Sequence, residues 1–393
     1  MHSRFPLRWR FALLSAVVGL ELPSAFAQAL PEITDRNFSL DAYDGVALGT
    51  VRIIGMGGAA VATAEGSAGT QLNPASPAVR SATSNDWWDL DFHLDAVTTT
   101  TTTDRDNSGF TGADGSTTAT TGISGIAGPW GLALVANGLT ASSGVGSNRI
   151  DTELFRAKFA LARTFGNEAY TFGLAVRAGL LKVDSSTGQP LLRIGGQNLE
   201  FGGLWRPYQK DLRVGASVAL PISGTNVDAT GCDPMDCAGH ILPSRVVVPW
   251  HTALGVAYRV APSQWNQHVT ASFRDERSLL VATDLVITGA VIHGAGLEAF
   301  ARGLLQRSGT SVSISPRLGT ELELFPGRLR LRAGAYWEPA RLEDTRGRIH
   351  GTAGVEVRWL QFDLFGPRRL RLSLTVDSAR HYLNGGLSIG FWH

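Results

Sequence analysis

The sequence contains two cysteines, Cys232 and Cys237, whose spacing could support covalent or metal chemistry. They are five residues apart in the segment GCDPMDCAGH, which also contains His240. In an oxidising compartment this spacing suits a small loop closed by a disulfide. A metal site is the alternative, but one histidine beside two cysteines is an incomplete and loosely spaced ligand set. We therefore predict a disulfide in an outer loop and no metal.

Two other segments match functional motifs in their letters alone. Val51–Ala60 (VRIIGMGGAA) has the form G-x-G-x-x-A of dinucleotide-binding folds, but no alternation of strands and helices follows it. Gly386–Gly390 has the form G-x-S-x-G, which in hydrolases lies on a sharp turn between a strand and a helix. Here Ser388 lies in a segment of strand-like alternation, and the nine histidines form no zinc-protease motif. We therefore expect that the protein is not an enzyme and that it binds no cofactor.

The composition excludes several classes of protein. The 393 residues include 35 Lys and Arg against 34 Asp and Glu, so the basic surface expected of a nucleic-acid-binding protein is missing. Only 18% of residues are charged, while 46 are glycine. The mean hydropathy is +0.03, and the one long apolar stretch is N-terminal, so membrane-spanning helices are not expected.

The first 27 residues have the pattern of a signal peptide. Three arginines precede Phe11–Leu20, a ten-residue apolar run that is too short to span a membrane comfortably. Ala25-Phe26-Ala27 then provides a small-x-small cleavage site before Gln28. A retained N-terminal anchor is the alternative interpretation. We predict cleavage after residue 27 and export of a nearly neutral chain.

Most of the remaining sequence alternates with period two, which is typical of β-strands with one apolar face. In 88–96 (WDLDFHLDA) the aromatic and aliphatic residues occupy one face, and three aspartates and a histidine occupy the other. The segments 328–338 (RLRLRAGAYWE) and 369–377 (RLRLSLTVD) divide in the same way, with arginines on the polar face. A soluble β-sandwich would also alternate, so the pattern alone does not decide between the two architectures.

Three features favour a transmembrane antiparallel β-barrel in the bacterial outer membrane. Full charges on the polar face of long strands suit a water-facing lumen. The last strand contains Asn384, Gly386, Ile389 and Phe391, a spacing similar to the C-terminal assembly signal of outer-membrane barrels, although the chain ends in His393 rather than an aromatic residue. Tryptophans also cluster near predicted strand ends, where aromatic girdles lie, at Trp130, Trp205, Trp250, Trp337, Trp359 and Trp392.

Turn signals divide residues 86–393 into about 14 strands, an even number as bacterial barrels require. The two-residue turn Pro326-Gly327 would pair positions whose numbers sum to 653. That register places Glu323 opposite Arg330 and Glu321 opposite Arg332 as charge pairs in the lumen. The segment 261–278 would be a longer inner link, partly helical. The predicted strands are 86–103, 116–127, 129–138, 151–165, 168–182, 192–205, 211–222, 246–260, 279–289, 311–325, 328–338, 347–360, 368–378 and 382–392.

Residues 28–85 do not alternate and are rich in glycine and alanine. They contain Gly55-Met56-Gly57-Gly58-Ala59 and the triplet Asn73-Pro74-Ala75. These two motifs resemble the N-terminal hatch of the FadL and TodX family of outer-membrane transporters for hydrophobic compounds; PorV-like proteins with scaffold roles in secretion share the motif. The resemblance implies a 14-stranded barrel with a hatch inside its lumen. It also implies a role for Gly55, Gly57, Gly58, Asn73, Pro74 and Ala75 in plugging or gating the barrel.

Two functions follow as hypotheses. The first is passive uptake of hydrophobic small molecules, such as long-chain fatty acids or aromatic hydrocarbons, through the outer membrane. The second is a non-transporting barrel that acts as a scaffold in secretion or in attachment of surface proteins. Both imply outer-membrane lipid and the barrel assembly machinery as partners, and neither implies nucleic acid. An apolar pocket near the outer loops would favour transport, and a flat polar loop surface would favour a scaffold.

Overall fold

The computed structural model describes residues 30–43, 49–84, 86–100, 103–110, 115–144, 149–225 and 231–392. The predicted signal peptide and His393 lie outside these residues. Fourteen antiparallel strands form a closed barrel, which confirms the predicted fold class. The barrel strands are β2 (Trp88–Thr99), β3 (Thr117–Ala127), β4 (Trp130–Ser143), β5 (Ile150–Phe165), β6 (Tyr170–Ser185), β7 (Pro190–Trp205), β8 (Leu212–Ala219), β11 (His251–Val260), β12 (Ser278–Thr288), β14 (Ser313–Phe325), β15 (Leu329–Glu338), β16 (Arg348–Asp363), β17 (Pro367–Ala379) and β18 (Tyr382–Trp392).

Each barrel strand pairs with the next barrel strand along the chain, and the last barrel strand pairs with the first to close the barrel. Between β8 and β11 and between β12 and β14, the chain leaves the wall to form short strands outside the barrel sheet. β18 pairs with β2, with Phe391 opposite Phe92 and Asn384 opposite Thr99. Because every barrel strand has two neighbours, the closed sheet has no free edge strand. One end of the barrel has tight turns such as Pro326-Gly327, and we call it the turn end. The opposite end carries the long connections, and we call it the loop end.

The alternation of the sequence separates an apolar outer surface from a polar inner one. On β2 the side chains of Asp89, Asp91, His93 and Asp95 are buried inside, while Leu94 is exposed outside. Trp130, Trp205, Trp337 and Trp359 also face outward, whereas Trp250 lies between strands, is partly buried and packs against Gly289. Large exposed side chains of the outer surface include Leu132, Leu134, Phe155, Phe159, Phe172, Leu174, Phe201, Leu254, Tyr258 and Leu318.

Two predicted strands are broken in the structure. The segment 211–222 ends its barrel strand at Ala219, and the segment 246–260 is interrupted at Pro249, whose missing N–H cannot extend a ladder. The separated pieces, β9 (Ile222–Thr225) and β10 (Arg245–Val248), join β1 (Ser39–Asp41) and β13 (Gly294–Ala295). Together they form a four-stranded sheet in the order β13-β1-β10-β9.

This small sheet belongs to a cap at the loop end. The cap also includes residues 30–43 and helix α3 (Leu297–Ala301). Its core contains Phe38, Leu40 and Phe300, which pack with inward-facing leucines and valines of the barrel wall. The beginning of the predicted hatch, residues 30–43, therefore lies in the cap across the barrel mouth.

Residues 49–84, which we call the inner segment, lie inside the barrel and are almost entirely buried. They contain two short helices, α1 (Val51–Gly55) and α2 (Gly66–Gly69), and a 3-10 turn at Ser76–Ala78. Small residues let this backbone approach the wall, because a Cβ on Gly319 of β14 would lie 2.3 Å from the carbonyl oxygen of Met56. The strand glycines therefore provide the space in which the inner segment fits.

The long link between β11 and β12 closes the turn end and contains no helix, contrary to the partly helical prediction. It folds inward instead, because its side chains pair with the wall. Asp275 accepts two hydrogen bonds from Arg369 at 2.5 and 2.7 Å, and Arg259 donates to Glu276 at 2.6 Å. Among the described residues, the helices are all too short to cross a lipid bilayer.

Candidate functional site

Two inward-facing aspartates of the wall bind the backbone of the inner segment. Asp284 of β12 accepts hydrogen bonds from the N–H groups of Ala60 and Val61 at 2.8 and 2.9 Å. Asp91 of β2 accepts from the N–H and hydroxyl of Ser67 at 2.7 and 2.5 Å. This role was not predicted from the sequence. The available signal was Asp284, a single charged residue within the mainly apolar segment LLVATDLVIT.

The Asn73-Pro74-Ala75 triplet lies against β6 and β7. Asn73 is fully buried, and its amide nitrogen donates to the carbonyl oxygens of Gly203 at 3.1 Å and Val61 at 3.3 Å. Its side-chain oxygen accepts the N–H of Ala75 at 3.0 Å. A Cβ on Gly202 would lie 2.1 Å from that oxygen, so only glycine fits opposite. The triplet therefore forms a tight contact between the inner segment and the wall.

The glycine motif lies on the opposite side of the lumen. Gly57 and Gly58 have φ of +60° and +73°, a backbone conformation that residues with a side chain rarely adopt. A Cβ on Gly57 would lie 2.7 Å from the backbone nitrogen of Ala335, and one on Gly55 would meet Thr375 at 3.1 Å. The predicted hatch residues thus separate into two contacts on different walls, both made through the backbone.

An apolar cavity of about 220 Å³ lies between the cap and the inner segment. Val61 and Leu72 of the inner segment line one side. Tyr43 of the cap lies on another side, and glycine backbone at Gly179 and Gly195 forms part of the wall. The other aliphatic side chains around the cavity include Val135, Leu154, Leu181, Ile194, Ile222, Val246, Val248, Ala253 and Val286.

Cationic groups are the charged part of this lining. Arg156, Lys158, Arg177 and Arg317 reach the cavity, and no Asp or Glu in the described residues lines it. Lys158 and Arg177 are paired behind the lining with the buried carboxylate of Glu200, at 2.7 and 3.3 Å. The cavity can therefore hold an apolar body and can place a polar or anionic end beside guanidinium and ammonium groups.

A second cavity, of about 150 Å³, lies on the turn-end side of the inner segment and is strongly polar. The predicted charge pairs are here. The register places Glu321 opposite Arg332 and Glu323 opposite Arg330, with nitrogen–oxygen distances of 2.7 and 2.8 Å. Glu356 of β16 joins the network through Arg332 at 2.5 Å, a partner that the sequence analysis did not identify.

The charges at this end are not exposed to an open watery lumen, as the sequence analysis had assumed. The side chains of Glu321, Glu323 and Arg332 are at most 9% exposed, and Arg330 is 25% exposed. The inner segment covers them from one side and the β11–β12 link from the other. Ion pairing therefore offsets the free-energy cost of burying these charges, because an unpaired charge at such a site is strongly unfavourable.

Ion pairs join the inner segment to the barrel directly, and Arg52 pairs with Glu321 of β14 at 3.3 Å. Glu65, in the inner segment, pairs with Arg213 of β8, whose guanidinium also lies 3.9 Å from the ring centre of Trp265. Burial by itself raises the pKa of Glu65, but the positive charges of Arg213 and Arg52 and the hydrogen bond from Arg213 together hold the pKa below its ordinary value. Glu65 is therefore ionised at neutral pH.

The remaining predicted residues lie away from both cavities. Cys232 and Cys237 are joined by a disulfide, with their Cα atoms 5.2 Å apart, in a loop of the cap. The ring nitrogens of His240 lie 3.2 and 3.3 Å from the backbone carbonyl oxygens of Ala238 and Ala301. Of the C-terminal signal residues, Asn384 is buried inside and hydrogen-bonds to Tyr382 at 2.7 Å, and Ile389 is exposed on the outer surface.

The structure is similar to several solved barrels. It matches the CymD monoaromatic hydrocarbon channel with a TM-score of 0.52 and 13% identity, over 89% of this chain and 97% of that one. It matches a Pseudomonas aeruginosa FadL homologue with a TM-score of 0.52 and 12% identity, over 89% and 98%. The chain has the fold of the FadL-type barrels. It also matches the deltaS2 mutant of the TodX monoaromatic hydrocarbon channel, with a TM-score of 0.50 and 14% identity, over 89% of this chain and 100% of that one.

No family model and no curated protein sequence matches the chain. At identities of 12–14% the likeness to these barrels establishes the architecture. The side chains of this chain must therefore carry any statement about its ligand.

Proposed function

We propose that the protein is an outer-membrane channel for uptake of hydrophobic small molecules, such as long-chain fatty acids or aromatic hydrocarbons. The apolar cavity of about 220 Å³ carries this proposal. Its aliphatic lining would accept the body of such a molecule, and the neighbouring cationic groups would accept a polar end. Barrels of the same fold that are described as monoaromatic hydrocarbon channels support the assignment.

Export and membrane insertion are part of the same proposal. The N-terminal 27 residues would direct export and be removed, and the barrel assembly machinery would recognise the last strand. The continuous apolar outer surface of the barrel supports insertion into lipid, because large exposed apolar side chains are unfavourable in water. The loop end with its cap would face the outside of the cell, and the turn end would face the periplasm.

The inner segment would act as a hatch. It separates the apolar cavity from the polar one, since Val61, Gln71 and Leu72 line the first and Arg52 and Glu65 line the second. It is also the part of the lumen that can shift without breaking the hydrogen-bond ladders of the wall. Its contacts at Asn73 and at the glycine motif would set how easily it moves.

Uptake of a labelled apolar ligand tests the proposal directly. Cells that lack other such transporters would express the full-length protein, and a heat-modifiability gel would verify that the barrel is folded. We expect uptake of a long-chain fatty acid or a monoaromatic hydrocarbon above that of cells with an empty vector. Folded protein without uptake of several apolar ligands would contradict transport and favour the scaffold function.

Filling the cavity tests which part of the molecule holds the ligand. A Cβ added at Gly179, on the cavity wall, would meet no atom within 4 Å, so Gly179→Trp would place an indole in the cavity without a clash of its Cβ. Gly351 has equally open surroundings but faces outward, so Gly351→Trp is the matched control. We expect the first variant to lose most uptake and the second to retain it. Equal uptake by both would place the ligand elsewhere.

The hatch contact can be tested separately. Asn73→Ala with Pro74→Ala removes the hydrogen bonds to Gly203 and Val61 and should alter the uptake rate while the barrel remains folded. The control is Asn37→Ala with Pro31→Ala, because both of these residues are exposed in the cap. If the Asn73 variant transports at the wild-type rate, the inner segment plugs the barrel without gating it.

A further inference from the structure

A cluster of buried acidic and amide groups lies in the cap, away from both cavities. Asp104 and Asp106 follow the first barrel strand, and Glu298 belongs to α3, nearly 200 positions further along the chain. Each of these carboxylates is at most 5% exposed. We call Asp104, Asp106, Ser108, Glu298 and Gln306 the cap cluster.

The loop of the cap cluster resembles the first half of a calcium-binding loop in sequence. Asp104-Arg105-Asp106-Asn107-Ser108-Gly109 follows the pattern D-x-D-x-S-G, close to the first half of the EF-hand loop. Gly109, at the position where that loop requires glycine, has φ of +85°. The serine at the fifth position and the missing glutamate at the twelfth depart from the pattern, and Glu298 provides a carboxylate from another part of the chain.

Oxygen atoms from three residues already stand at the spacing of neighbouring calcium ligands. The hydroxyl of Ser108 is 3.2 Å from Oε2 of Glu298 and 3.5 Å from Oδ1 of Asp104. Oxygens that share a calcium ion at about 2.3–2.6 Å lie roughly 3 to 3.5 Å apart. Both oxygens of Asp104 are held in place by the N–H groups of Ser108 and Gly109 at 2.9 Å.

Two buried oxygens of the cap cluster have no hydrogen-bond partner among the residues that the structure describes. Oδ1 of Asp106 is buried without a hydrogen bond, and Asp106 itself is only 5% exposed. Oε1 of Gln306 is also buried without a donor, although its amide nitrogen is fixed by the carbonyl oxygens of Ser108 and Glu343, each at 2.9 Å. A buried acceptor without a donor is costly, and a cation would satisfy both.

The charges of the cap cluster also act on one another. The negative charges of Asp106 and Asp104 both act on Glu298, and the positive charge of Arg105 opposes them. Arg348 lies nearby, but it donates to the backbone carbonyls of Asp104 and Arg105 and pairs with Glu338, so it does not neutralise these carboxylates directly.

We propose that the cap cluster is a calcium site that ties the loop after the first barrel strand to helix α3. Asp104, Asp106 and Glu298 would provide carboxylate oxygens, and Ser108 and Gln306 would provide neutral oxygens. A mixed set of carboxylate and neutral oxygen donors from separate segments suits Ca²⁺ better than Mg²⁺, which requires near-ideal octahedral geometry. In the described ranges no three acidic, histidine or cysteine side chains form a complete metal cage, so the neutral oxygens are needed and the loops would close slightly on binding.

Calcium titration of the full-length protein in detergent tests the site without any transport measurement. We expect isothermal titration with CaCl2 to give one site with a dissociation constant of about 0.1–1 mM, the range of extracellular calcium modules. The thermal unfolding midpoint should rise with CaCl2 and return to its original value with a chelator. MgCl2 should bind more weakly, and equal binding of both cations would contradict the calcium assignment.

Three variants locate the site. Asp106→Asn, in the loop after the first barrel strand, and Glu298→Gln, in α3, should each weaken calcium binding at least tenfold while the heat-modifiability gel shows a folded barrel. Glu153→Gln is the matched control, because its carboxylate is 62% exposed and lies outside the cap cluster. Absence of binding by the wild type at about 10 mM CaCl2, above the range expected for such sites, would overturn the proposal. Unchanged binding by both cluster variants would overturn it as well.

Discussion

Inward-facing carboxylates perform two different tasks in this barrel, depending on what lies opposite each one. Asp284 meets backbone N–H groups of the inner segment and binds them at 2.8 and 2.9 Å. Glu321 meets arginines on the neighbouring strand and forms ion pairs with them. In both cases the charge is buried, so its partners decide whether it stabilises the structure.

Removal of Arg332 should strongly destabilise the turn end. Its side chain is 1% exposed and bridges Glu321 and Glu356 at 2.7 and 2.5 Å. Arg332→Met would leave these carboxylates with fewer partners. We therefore expect the free energy of unfolding to fall by about 3 kcal/mol, the low end of the range for a broken buried pair. Urea unfolding in lipid vesicles would measure it. Arg149→Met, in an exposed pair with Asp151, should cost under about 1 kcal/mol, and equal losses would contradict the buried-network interpretation.

Glu65 should make the stability of the inner segment dependent on pH. Its folded-state pKa lies below the ordinary value of 4.5, so its ion pair with Arg213 contributes fully above that pH. The contribution is lost as the pH falls through the folded-state pKa, because the carboxyl group is then protonated in both states. Thermal midpoints of the wild type should exceed those of Glu65→Gln at pH 7, and the two should converge in acid. A constant difference across this range would contradict the prediction.

At the scale of elements, the strands are shaped to receive the inner segment. Inward-facing glycines interrupt the rows of larger side chains wherever the backbone of the segment approaches the wall. Examples are Gly319 and Gly334 beside Met56 and Gly57, and Gly215 beside Val61. These glycines weaken strand propensity, which indicates that room for the inner segment matters more at these positions than local preference.

Substitution of one of these glycines should release the inner segment and spare the barrel. A Cβ at Gly319 would lie 2.3 Å from the carbonyl oxygen of Met56, so Gly319→Ala should displace α1 and its neighbours. Limited trypsin digestion should then cut after Arg52 or Arg80 faster than in the wild type. Gly138→Ala is the control, because its Cβ would meet no atom within 4 Å. Equal protection of both variants would show that the wall can absorb the change.

At the scale of the whole molecule, the barrel wall is weakest beside the apolar cavity. β7 pairs with β8 only over Glu200–Trp205, because β8 ends at Ala219 and the chain turns inward to the cap. Beyond this ladder, β7 is held by single contacts such as the hydrogen bond from the N–H of Leu220 to the carbonyl of Leu199 at 3.0 Å. Gly195, Gly196 and Ile222 at this place also line the cavity. A ligand could leave sideways here at low cost in hydrogen bonds.

A reversible crosslink distinguishes a sideways route from a route along the lumen. A Cβ at Gly196 would lie 2.6 Å from Cγ2 of Ile222, so Gly196→Cys with Ile222→Cys can form a disulfide that ties β7 to the cap strand β9 where the β7–β8 ladder ends. If the ligand leaves here, oxidation should stop uptake and reduction should restore it. Wild-type protein under the same reducing conditions controls for the Cys232–Cys237 disulfide. Undiminished uptake by the oxidised variant would favour passage along the lumen past the inner segment.

Local regularity in the sequence was sufficient to determine the barrel. Period-two alternation is a property of a few neighbouring residues, and turn residues mark its interruptions, so fourteen strands could be predicted. The turn Pro326-Gly327 also fixes a register, because a short hairpin leaves few ways to pair. The breaks at Ala219 and Pro249 were missed, since alternation continues across them and only the competing small sheet makes the chain leave the wall.

Only the tertiary structure determined which polar residues have a task beyond lining the lumen. Asp284 binds N–H groups 223 and 224 positions away, and Glu298 meets Ser108 across 190 positions. No local pattern encodes such contacts, because they depend on how the inner segment and the cap fold into the closed barrel. The sequence by itself therefore determined the wall and its two faces. The cavity, the inner-segment contacts and the cap cluster arise only when distant segments meet inside that wall.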